Sequence, residues 1–386
     1  MHLFIQGKPG EGKTTFIKKL IKFIDRKRGF YTEEIREGKE RKGFKVVTLK
    51  DREVVFAHKD FVSPYKVSHY GVDVEKFEQV AVEELKQGIE SSCKVLFIDE
   101  IGKMELFSSS FRRVVEEAME KKRVVATIPQ KTDFFIERLK ERKDVCCWQL
   151  ERGRIEEMLY EAKLFLESLP VEEIRSLEKR AKQIGLEERI LIENAGSNLA
   201  YEVEKLGLGK RVLVVAGKGN NGADVLSCAR KLLSRNYEVD IVVLREKPLG
   251  EEVRFQLSVL EKINASLQLV SKEKELSKLR ALLKEVDFVV EGILGIGIKG
   301  ELSPFLKKVI EEINGSGKIV VSCDIPSGLS PQEGKGLPIA IKAQYTITFL
   351  APKEGFFINE GPYKCGKIIV RDIGISQQKL AEGCFS

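Results

Sequence analysis

The stretch LFIQGKPGEGKTTFIKKLI, residues 3–21, decides the fold of the first half of this chain. Its apolar start, Leu3 to Gln6, predicts a buried strand, and residues 15–24 predict a helix soon after it. Between them stands the pattern GxxxxGKT, formed by Gly7, Lys8, Pro9, Gly10, Glu11, Gly12, Lys13 and Thr14. A strand, a glycine-rich loop and a helix in this order are typical of a phosphate-binding loop.

Each part of this loop has a role in holding phosphates. Glycines let successive backbone N–H groups converge on phosphate oxygens, and the start of the helix adds partial positive charge. We expect Lys13 to bridge the β- and γ-phosphates and Thr14 to reach Mg²⁺. The loop therefore predicts a nucleotide-binding site with Lys13 as a catalytic residue.

A second apolar strand, KVLFIDE at residues 94–100, ends in two carboxylates. We expect Asp99 to hold Mg²⁺ through water. Glu100, one position further on, is the predicted catalytic group that orients or deprotonates an attacking water. Four arginines are candidates for stabilising the transition-state charge, although a surface role is the simpler interpretation of each: Arg28, Arg36, Arg112 and Arg113.

Further motifs carry a resemblance to a known family. GFYTEE at 29–34, Gly43 and Phe44, YGVD at 70–73 and IDEIGKME at 98–105 resemble the nucleoside-triphosphatase family of thermophiles over about residues 1–160. The resemblance implies hydrolysis of several nucleoside triphosphates with little base selectivity, on a fold related to nucleotide kinases. The residues alone leave a nucleotide or nucleoside kinase open, because the same groups would serve transfer to an alcohol.

The length of the chain predicts more than one domain. Its 386 residues correspond to about two domains. A predicted helix, residues 155–169, ends before Pro170, and alternation of strands and helices restarts at Val212. We therefore predict an α/β protein with two doubly wound α/β/α domains, a P-loop domain at 1–169 and a Rossmann-like domain at 170–386.

Composition narrows the partners and the compartment. The net charge of +7 is spread through mixed-sign stretches, which argues against nucleic acid as a partner. Seven cysteines without a CxxC pair fit reduced thiols better than a disulfide framework or a zinc site. The apolar run directly after Met1 and the absence of 18 consecutive apolar residues predict a cytoplasmic protein with no membrane partner.

Three strands in the second half each end in glycine and polar residues. Residues 211–216 precede GKGNNGAD, residues 287–290 precede EGILGIGIKG, and residues 318–322 precede CDIPSG. In an open parallel sheet, ligands bind outside the carboxyl ends of the strands. These loops therefore predict one crevice suited to phosphates and a ribose. The three histidines, His2, His58 and His69, all lie in the first half, so any acid–base group in this crevice must be of another type.

The same loops resemble the NAD(P)H-hydrate epimerase family over residues 171–376, together with ENAG at 193–196 and DIG at 372–374. Members interconvert the R and S forms of hydrated NADH and NADPH (NADHX and NADPHX), so that a stereospecific dehydratase rescues both. The resemblance implies substrate contacts at Asn220, Asn221, Gly222, Ala223, Asp224, Gly295, Ile296, Gly297, Ile298, Lys299, Gly300, Glu301 and Asp324. It implies a K⁺ ion held by Asn221, Glu291 and Ser327, a possible homodimer, and a separate dehydratase, whose domain is missing from this sequence.

The chain departs from the family pattern at two positions. Ala223 stands where glycine is usual, and Glu291 stands where aspartate is usual, which puts the K⁺ site in doubt. Asp324 is the predicted catalytic acid–base group, because a carboxylate in a partly desolvated crevice suits proton transfer. Lys299 is the alternative, either balancing the phosphates or assisting proton transfer. Two alternatives for this half are a nicotinamide dehydrogenase and a non-catalytic dinucleotide-binding or interaction module.

Overall fold

The computed structural model describes residues 1–297 and 300–382. Its internal contacts divide the chain into a first unit, Met1–Leu166, and a second unit that begins at Glu167. Each unit contains one sheet with a parallel core and helices packed against it, so the predicted α/β class is confirmed. Among the described residues, no helix is both long and apolar enough to cross a membrane.

The first unit contains nine strands: β1 His2–Gly7, β2 Lys27–Glu37, β3 Glu40–Thr48, β4 Glu53–His58, β5 Lys66–Val67, β6 Tyr70–Val72, β7 Val95–Asp99, β8 Arg123–Pro129 and β9 Val145–Gln149. Its helices are α1 Lys13–Ile21, α2 Val74–Phe77, α3 Glu83–Glu90, α4 Ser109–Lys121, α5 Phe134–Lys140 and α6 Ile155–Glu167, whose last residue belongs to the second unit. The sheet order is β5-β6-β4-β3-β2-β7-β8-β1-β9. Strands β2, β7, β8, β1 and β9 run parallel, and the other four form an antiparallel extension.

Two helices differ from their predicted extents. Helix α1 begins at Lys13, two residues earlier than predicted, because Gly12 adopts φ 98° and acts as its N-cap. It ends at Ile21 rather than residue 24. Helix α6 ends at Glu167 rather than at residue 169, since Leu169 instead pairs with Lys353 in a parallel bridge. The strands that carry the motifs, β1 and β7, are buried along almost their whole length.

Within its described residues, the second unit contains seven strands: β10 Arg211–Ala216, β11 Glu238–Leu244, β12 Ser266–Val270, β13 Phe288–Gly292, β14 Ile319–Cys323, β15 Tyr345–Phe349 and β16 Lys367–Arg371. Its helices are α7 Val171–Gln183, α8 Glu188–Leu206, α9 Asn220–Leu233, α10 Glu251–Lys262, α11 Leu276–Glu285, α12 Pro304–Gly315, α13 Gly361–Lys364 and α14 Gln377–Glu382. All seven strands are parallel, in the order β12-β11-β10-β13-β14-β15-β16.

The strand order of the second unit reverses direction between β10 and β13. Such a switch point leaves a crevice at the carboxyl ends of the two central strands. The two loops there approach closely because of glycine. A Cβ atom on Gly217 would lie 1.8 Å from the Ile293 carbonyl oxygen, and one on Gly292 would lie 2.4 Å from that of Asn221. The topology thus brings the predicted loops together at one edge.

Candidate active sites

The phosphate loop of the first unit connects β1 to α1 as predicted. Gly10 and Gly12 have φ values of 78° and 98°, which glycine adopts without steric cost. The first turn of α1 has no side-chain cap and no acidic residue, so its N–H groups are not used by a side chain. This arrangement offers backbone donors and partial positive charge to an anion.

Lys13 joins the ends of the two predicted strands. Its buried ammonium group donates to the Gly7 carbonyl over 2.8 Å and lies 3.4 Å from a Glu100 carboxylate oxygen. Because β8 separates β1 from β7, this side chain spans the carboxyl ends of three strands. The structure therefore brings Lys13 and Glu100 together.

Asp99 is fully buried at the end of β7. One of its oxygens accepts a hydrogen bond from Thr127, whereas the other is buried without a protein partner among the described residues. Burial raises the pKa of Asp99, opposed chiefly by the Thr127 and Thr14 hydroxyls. An unpartnered carboxylate oxygen beside the Thr14 hydroxyl is a suitable donor set for Mg²⁺, which prefers oxygen ligands.

A third carboxyl group, Glu105, is almost fully buried near Glu100. Its burial, followed by the charge of Glu100, raises the pKa of Glu105 to about 8. A Cβ atom on Gly102 would lie about 3 Å from an oxygen of each glutamate, at 2.9 Å from Glu105 and 3.0 Å from Glu100. An acidic cluster is thus formed by Asp99, Glu100 and Glu105, and Lys13 is paired with Glu100. Three carboxyl groups beside one ammonium group favour the binding of a further cation.

The candidate arginines are placed differently from one another. Arg28 forms an ion pair with the buried Glu84 at 2.7 Å, and Arg112 donates to the Leu106 carbonyl at 3.0 Å. Arg36 forms an ion pair with Glu34. None of these interactions involves the phosphate loop. Arg152, which follows β9, instead donates a hydrogen bond to the Gly10 carbonyl within the loop.

The crevice of the second unit contains a cavity of about 560 Å³. Eight of the predicted substrate contacts line it: Asn220, Asn221, Asp224, Gly295, Ile296, Gly297, Glu301 and Asp324. Gly222, Ala223 and Gly300 are not among its lining residues, and Gly222 and Ala223 are buried within α9. The predictions for Ile298 and Lys299 fall outside the described residues. Three loops that are far apart in sequence therefore surround one cavity.

Asp324 lies at the end of β14 and faces this cavity. Its backbone has φ 63°, an uncommon value for aspartate that marks a tightly constrained position. One carboxylate oxygen accepts hydrogen bonds from Lys353, from the Thr348 hydroxyl at 3.2 Å and from the Phe349 amide at 3.3 Å. Lys353 is fully buried and also donates to Thr348 at 2.6 Å. These contacts fix the position of the Asp324 side chain at the edge of the cavity.

Two of the predicted K⁺ ligands, Glu291 and Ser327, are hydrogen-bonded to each other. One carboxylate oxygen of Glu291 accepts hydrogen bonds from the Ser322 hydroxyl at 2.5 Å and from the Ser327 backbone amide at 3.0 Å. The other oxygen accepts hydrogen bonds from the Ser327 hydroxyl at 2.5 Å and from the Ile293 backbone amide at 3.2 Å. A carboxylate has about four lone-pair positions, so these donors saturate it. The Asn221 side-chain oxygen is buried without a partner among the described residues. The site therefore offers one free acceptor, but Glu291 does not fit a K⁺ ion unless a donor is displaced.

The motifs ENAG and DIG have packing roles. Glu193 accepts hydrogen bonds from Lys231 at 2.6 Å and from Gln256 at 2.8 Å, which ties α8 to α9 and α10. Asn194 donates to the Ile373 carbonyl at 2.8 Å, so it connects α8 to the chain after β16. These contacts fix α8, whose residues Ile192 and Ala195 line the cavity.

Comparisons with known proteins match the two units of the chain to different families. Residues 2–163 match a family model described as NTPase. The nucleoside-triphosphatase THEP1 of Thermotoga maritima is 43% identical over 162 residues, which cover 42% of this chain and 92% of the relative. Residues 188–355 match a model described as YjeF-related protein N-terminus. The NAD(P)H-hydrate epimerase of Cenarchaeum symbiosum is 36% identical over 211 residues, which cover 54% of this chain and 95% of the relative.

The chain belongs to both families. The first unit is its nucleoside-triphosphatase part and the second unit its NAD(P)H-hydrate epimerase part, so both resemblances inferred from the motifs are confirmed. A bifunctional NAD(P)H-hydrate repair enzyme of Moorella thermoacetica is 35% identical over 202 residues. That match covers 51% of this chain but only 38% of the relative.

Several residues at the two sites were missed in the sequence of this triphosphatase–epimerase chain. Lys353 lies in APKEGF, which has no spacing relation to Asp324, and Glu105 ends the quoted motif IDEIGKME without any sign that it is buried. Arg152 reaches the phosphate loop from a segment more than 130 residues away in sequence. Only the three-dimensional fold places these side chains at the sites.

Proposed function

We propose that the first unit hydrolyses nucleoside triphosphates to diphosphates and phosphate. The observation that carries this proposal is the convergence of Lys13 and Glu100 at the start of α1, 3.4 Å apart. The lysine ammonium group is positioned for the γ-phosphate, and the neighbouring carboxylate is positioned for a water that attacks it. Membership of the triphosphatase family supports the same reaction.

The chain's own groups divide the work of this reaction. The loop amides and Lys13 bind and orient the phosphates, and this positioning is most of what phosphoryl transfer needs. Glu100 accepts a proton from water or orients it. Burial raises the pKa of this carboxyl, which makes its ionised form a stronger base than an exposed glutamate. Thr14 and Asp99 are the residues that would hold Mg²⁺, which when bound neutralises charge on the phosphate oxygens.

The test is phosphate release from ATP and GTP with Mg²⁺ and no added acceptor. We expect release by the full chain and a loss of at least about 100-fold in Lys13→Ala, because the main positive charge on the γ-phosphate is removed. Lys22→Ala, which replaces an exposed lysine at the far end of α1, is the matched control for loss of a nearby lysine and should leave phosphate release unchanged. Phosphate transfer only after a nucleoside or nucleotide is added would instead establish a kinase.

We propose that the second unit interconverts the R and S hydrates of NADH and NADPH. The supporting observation is the Asp324 carboxylate, held by buried Lys353 and facing a cavity formed by three strand ends. The cavity is lined by two glycine-rich loops, which suit phosphates, and by the Asp324 carboxyl group, which suits proton transfer. No histidine occurs in this half of the sequence, so a carboxyl group is the natural acid–base residue.

The test uses a hydrated NADH mixture and a separate stereospecific dehydratase. The dehydratase alone consumes one isomer and then stops, apart from slow spontaneous epimerisation. We expect rapid consumption of both isomers when the full chain is added. Unchanged consumption would contradict the proposal and would favour a binding module for dinucleotides, which equilibrium dialysis with NADPH would then reveal.

A further inference from the structure

A second acidic side chain, Asp224, faces the same cavity as Asp324. It lies in the first turn of α9, directly after the loop that follows β10. In the part of the chain that the structure describes, its carboxyl group has no hydrogen-bond donor or ion-pair partner. Asp324, by contrast, has a lysine and two further donors. Two aspartates at one cavity therefore have opposite environments.

Three other carboxyl groups act on Asp224, although four basic residues also line the cavity: Arg175, Lys182, Lys218 and Lys247. Glu178 of α7 and Glu188 of α8 line the same cavity, as does Asp324 after β14. Burial raises the pKa of Asp224 well above its usual range, and the charges of these three carboxylates act in the same direction. Lys182 also lines the cavity but pairs with Glu188, and Lys353 pairs with Asp324. Asp224 thus holds its proton to higher pH than an exposed aspartate does.

Two carboxyl groups that face one cavity in unlike surroundings, one held by a lysine and one without a donor, form an arrangement that separates an acid from a base at one site. Epimerisation of the hydrate needs both, since the hydroxyl leaves from one face of its carbon and returns to the other. We propose that Asp224 is the proton donor and Asp324 the proton acceptor of this reaction. This inference rests on the proposed epimerase function and assigns its second catalytic residue.

The proton and electron balance of the step is closed without a cofactor. The C–O bond of the carbinol breaks, its electron pair leaves with oxygen, and that oxygen takes the Asp224 proton to form water. The lone pair of the adjacent ring nitrogen forms a C=N bond in its place. Water then adds to the opposite face, the C=N pair returns to nitrogen, and Asp324 takes the water proton. In the reverse reaction Asp324 donates the proton and Asp224 accepts it. After each turnover, proton exchange with solvent returns a proton to Asp224 and removes one from Asp324.

The competing candidate is Glu178, which also faces the cavity without a hydrogen-bond donor in the described residues. It reaches the cavity from α7 on a longer side chain with more rotamers, whereas Asp224 is fixed on a helix packed directly on the central strands. The backbone carbonyl oxygen of Asp224 would lie only 2.9 Å from a Cβ atom on Gly196 of α8. The first turn of α9 is therefore closely packed against α8. Rigid placement favours Asp224 as the reacting acid.

The experiment compares Asp224→Asn and Glu178→Gln in the full chain, with R and S hydrates separated by chromatography and initial rates measured from pH 6 to 10. We expect kcat of Asp224→Asn to fall by about 100-fold or more with KM changed less than about threefold. The wild-type rate should fall at high pH as the acid ionises, and the residual activity of Asp224→Asn should lack this alkaline limb. Glu178→Gln should retain the alkaline limb but displace it to lower pH, because a negative charge that raises the pKa of Asp224 is removed. Glu173→Gln, which replaces an exposed glutamate of α7 outside the cavity lining, should retain both the rate and the limb.

Phosphate release by the first unit and the thermal transition of each variant serve as controls for concentration and folding. Near-normal turnover in Asp224→Asn, or an alkaline limb that survives in this variant but disappears in Glu178→Gln, would overturn the assignment. Failure of the wild-type chain to epimerise at all is a separate outcome, because it would refute the proposed function itself. Partial recovery in Asp224→Glu would support proton donation over a packing role.

Discussion

The ammonium group of Lys353 is fully buried and bonds to the Asp324 carboxylate, which lies at the end of β14 and faces the cavity of the second unit. The two residues come from segments that pack together only in the folded sheet. Because Asp324 retains partial contact with the cavity while Lys353 has none, the lysine acts on the reaction only through the aspartate. Lys353 is therefore a positioning residue for Asp324.

Replacing Lys353 with methionine keeps most of the side-chain volume but removes the charge. We expect Lys353→Met to lose about 1–3 kcal/mol in the free energy of unfolding of the second unit, since Asp324 and Thr348 lose a donor. Epimerisation should fall strongly and phosphate release should stay unchanged. Urea unfolding and the two activity assays measure these effects, with Lys342→Met, which replaces an exposed lysine, as the control. Unaltered epimerisation in Lys353→Met would contradict the positioning role.

The buried Glu105 gives the first unit a pH-dependent stability. A carboxyl whose pKa is raised from 4.5 to about 8 in the folded protein binds its proton more tightly when folded. Its contribution to stability is therefore complete at low pH and is lost as the pH rises from about 4.5 to about 8. We expect Glu105→Gln to gain stability relative to the wild type by about 1–3 kcal/mol between pH 5 and pH 8.5.

Urea unfolding at the two pH values, without nucleotide or Mg²⁺, checks this expectation. The control is Glu117→Gln on α4, where the glutamate is about half exposed and pairs with Lys121. This variant should follow the pH dependence of the wild type. Parallel stability curves for Glu105→Gln and the wild type would show that Glu105 is already ionised at pH 5.

The sequence was most informative where the residues of a site lie next to one another in the chain. GKPGEGKT and the end of β7 predicted both the parallel core and the convergence of Lys13 with Glu100, because strand ends in a parallel sheet meet at one edge. The same logic placed three loops around the second cavity. Family motifs added the two reactions but not the hydrogen-bond partners of the residues at the sites.

What the sequence could not predict depends on contacts between distant segments. Nothing adjacent to Glu291 indicates that Ser322 and Ser327 would supply three of its four donors. Likewise, the acidic neighbours of Asp224 come from helices α7 and α8 and from the end of β14. Charge balance in a folded site is set by such neighbours, and a single sequence does not reveal them.

Gly217 is the point of closest approach between the loops after β10 and β13. A Cβ atom there would meet the Ile293 carbonyl at 1.8 Å, whereas one on Gly219 would meet nothing within 4 Å. We expect Gly217→Ala to destabilise the second unit by about 1–3 kcal/mol through overpacking, and Gly219→Ala to change stability by less than about 1 kcal/mol. Urea unfolding of the two matched variants measures the difference. Equal stabilities would mean that the loops separate readily.

The saturated Glu291 carboxylate leads to a prediction about K⁺. Its four protein donors leave no lone pair for an ion, so we expect the epimerisation rate and thermal transition of the second unit to be the same in NaCl and KCl of equal ionic strength. Glu291→Asp withdraws the carboxylate by about 1.5 Å, one carbon–carbon bond. It then loses some of the donors and leaves the Asn221 and Ser327 oxygens free for a cation.

We therefore expect Glu291→Asp to be less stable in NaCl and to recover stability and activity with added KCl. Glu285→Asp, an exposed carboxylate near the end of α11, is the control for general salt effects. A wild-type chain that needs K⁺ for turnover would contradict this expectation. It would mean that the ion displaces one of the serine or amide donors, with the unpartnered Asn221 oxygen supplying the first ligand.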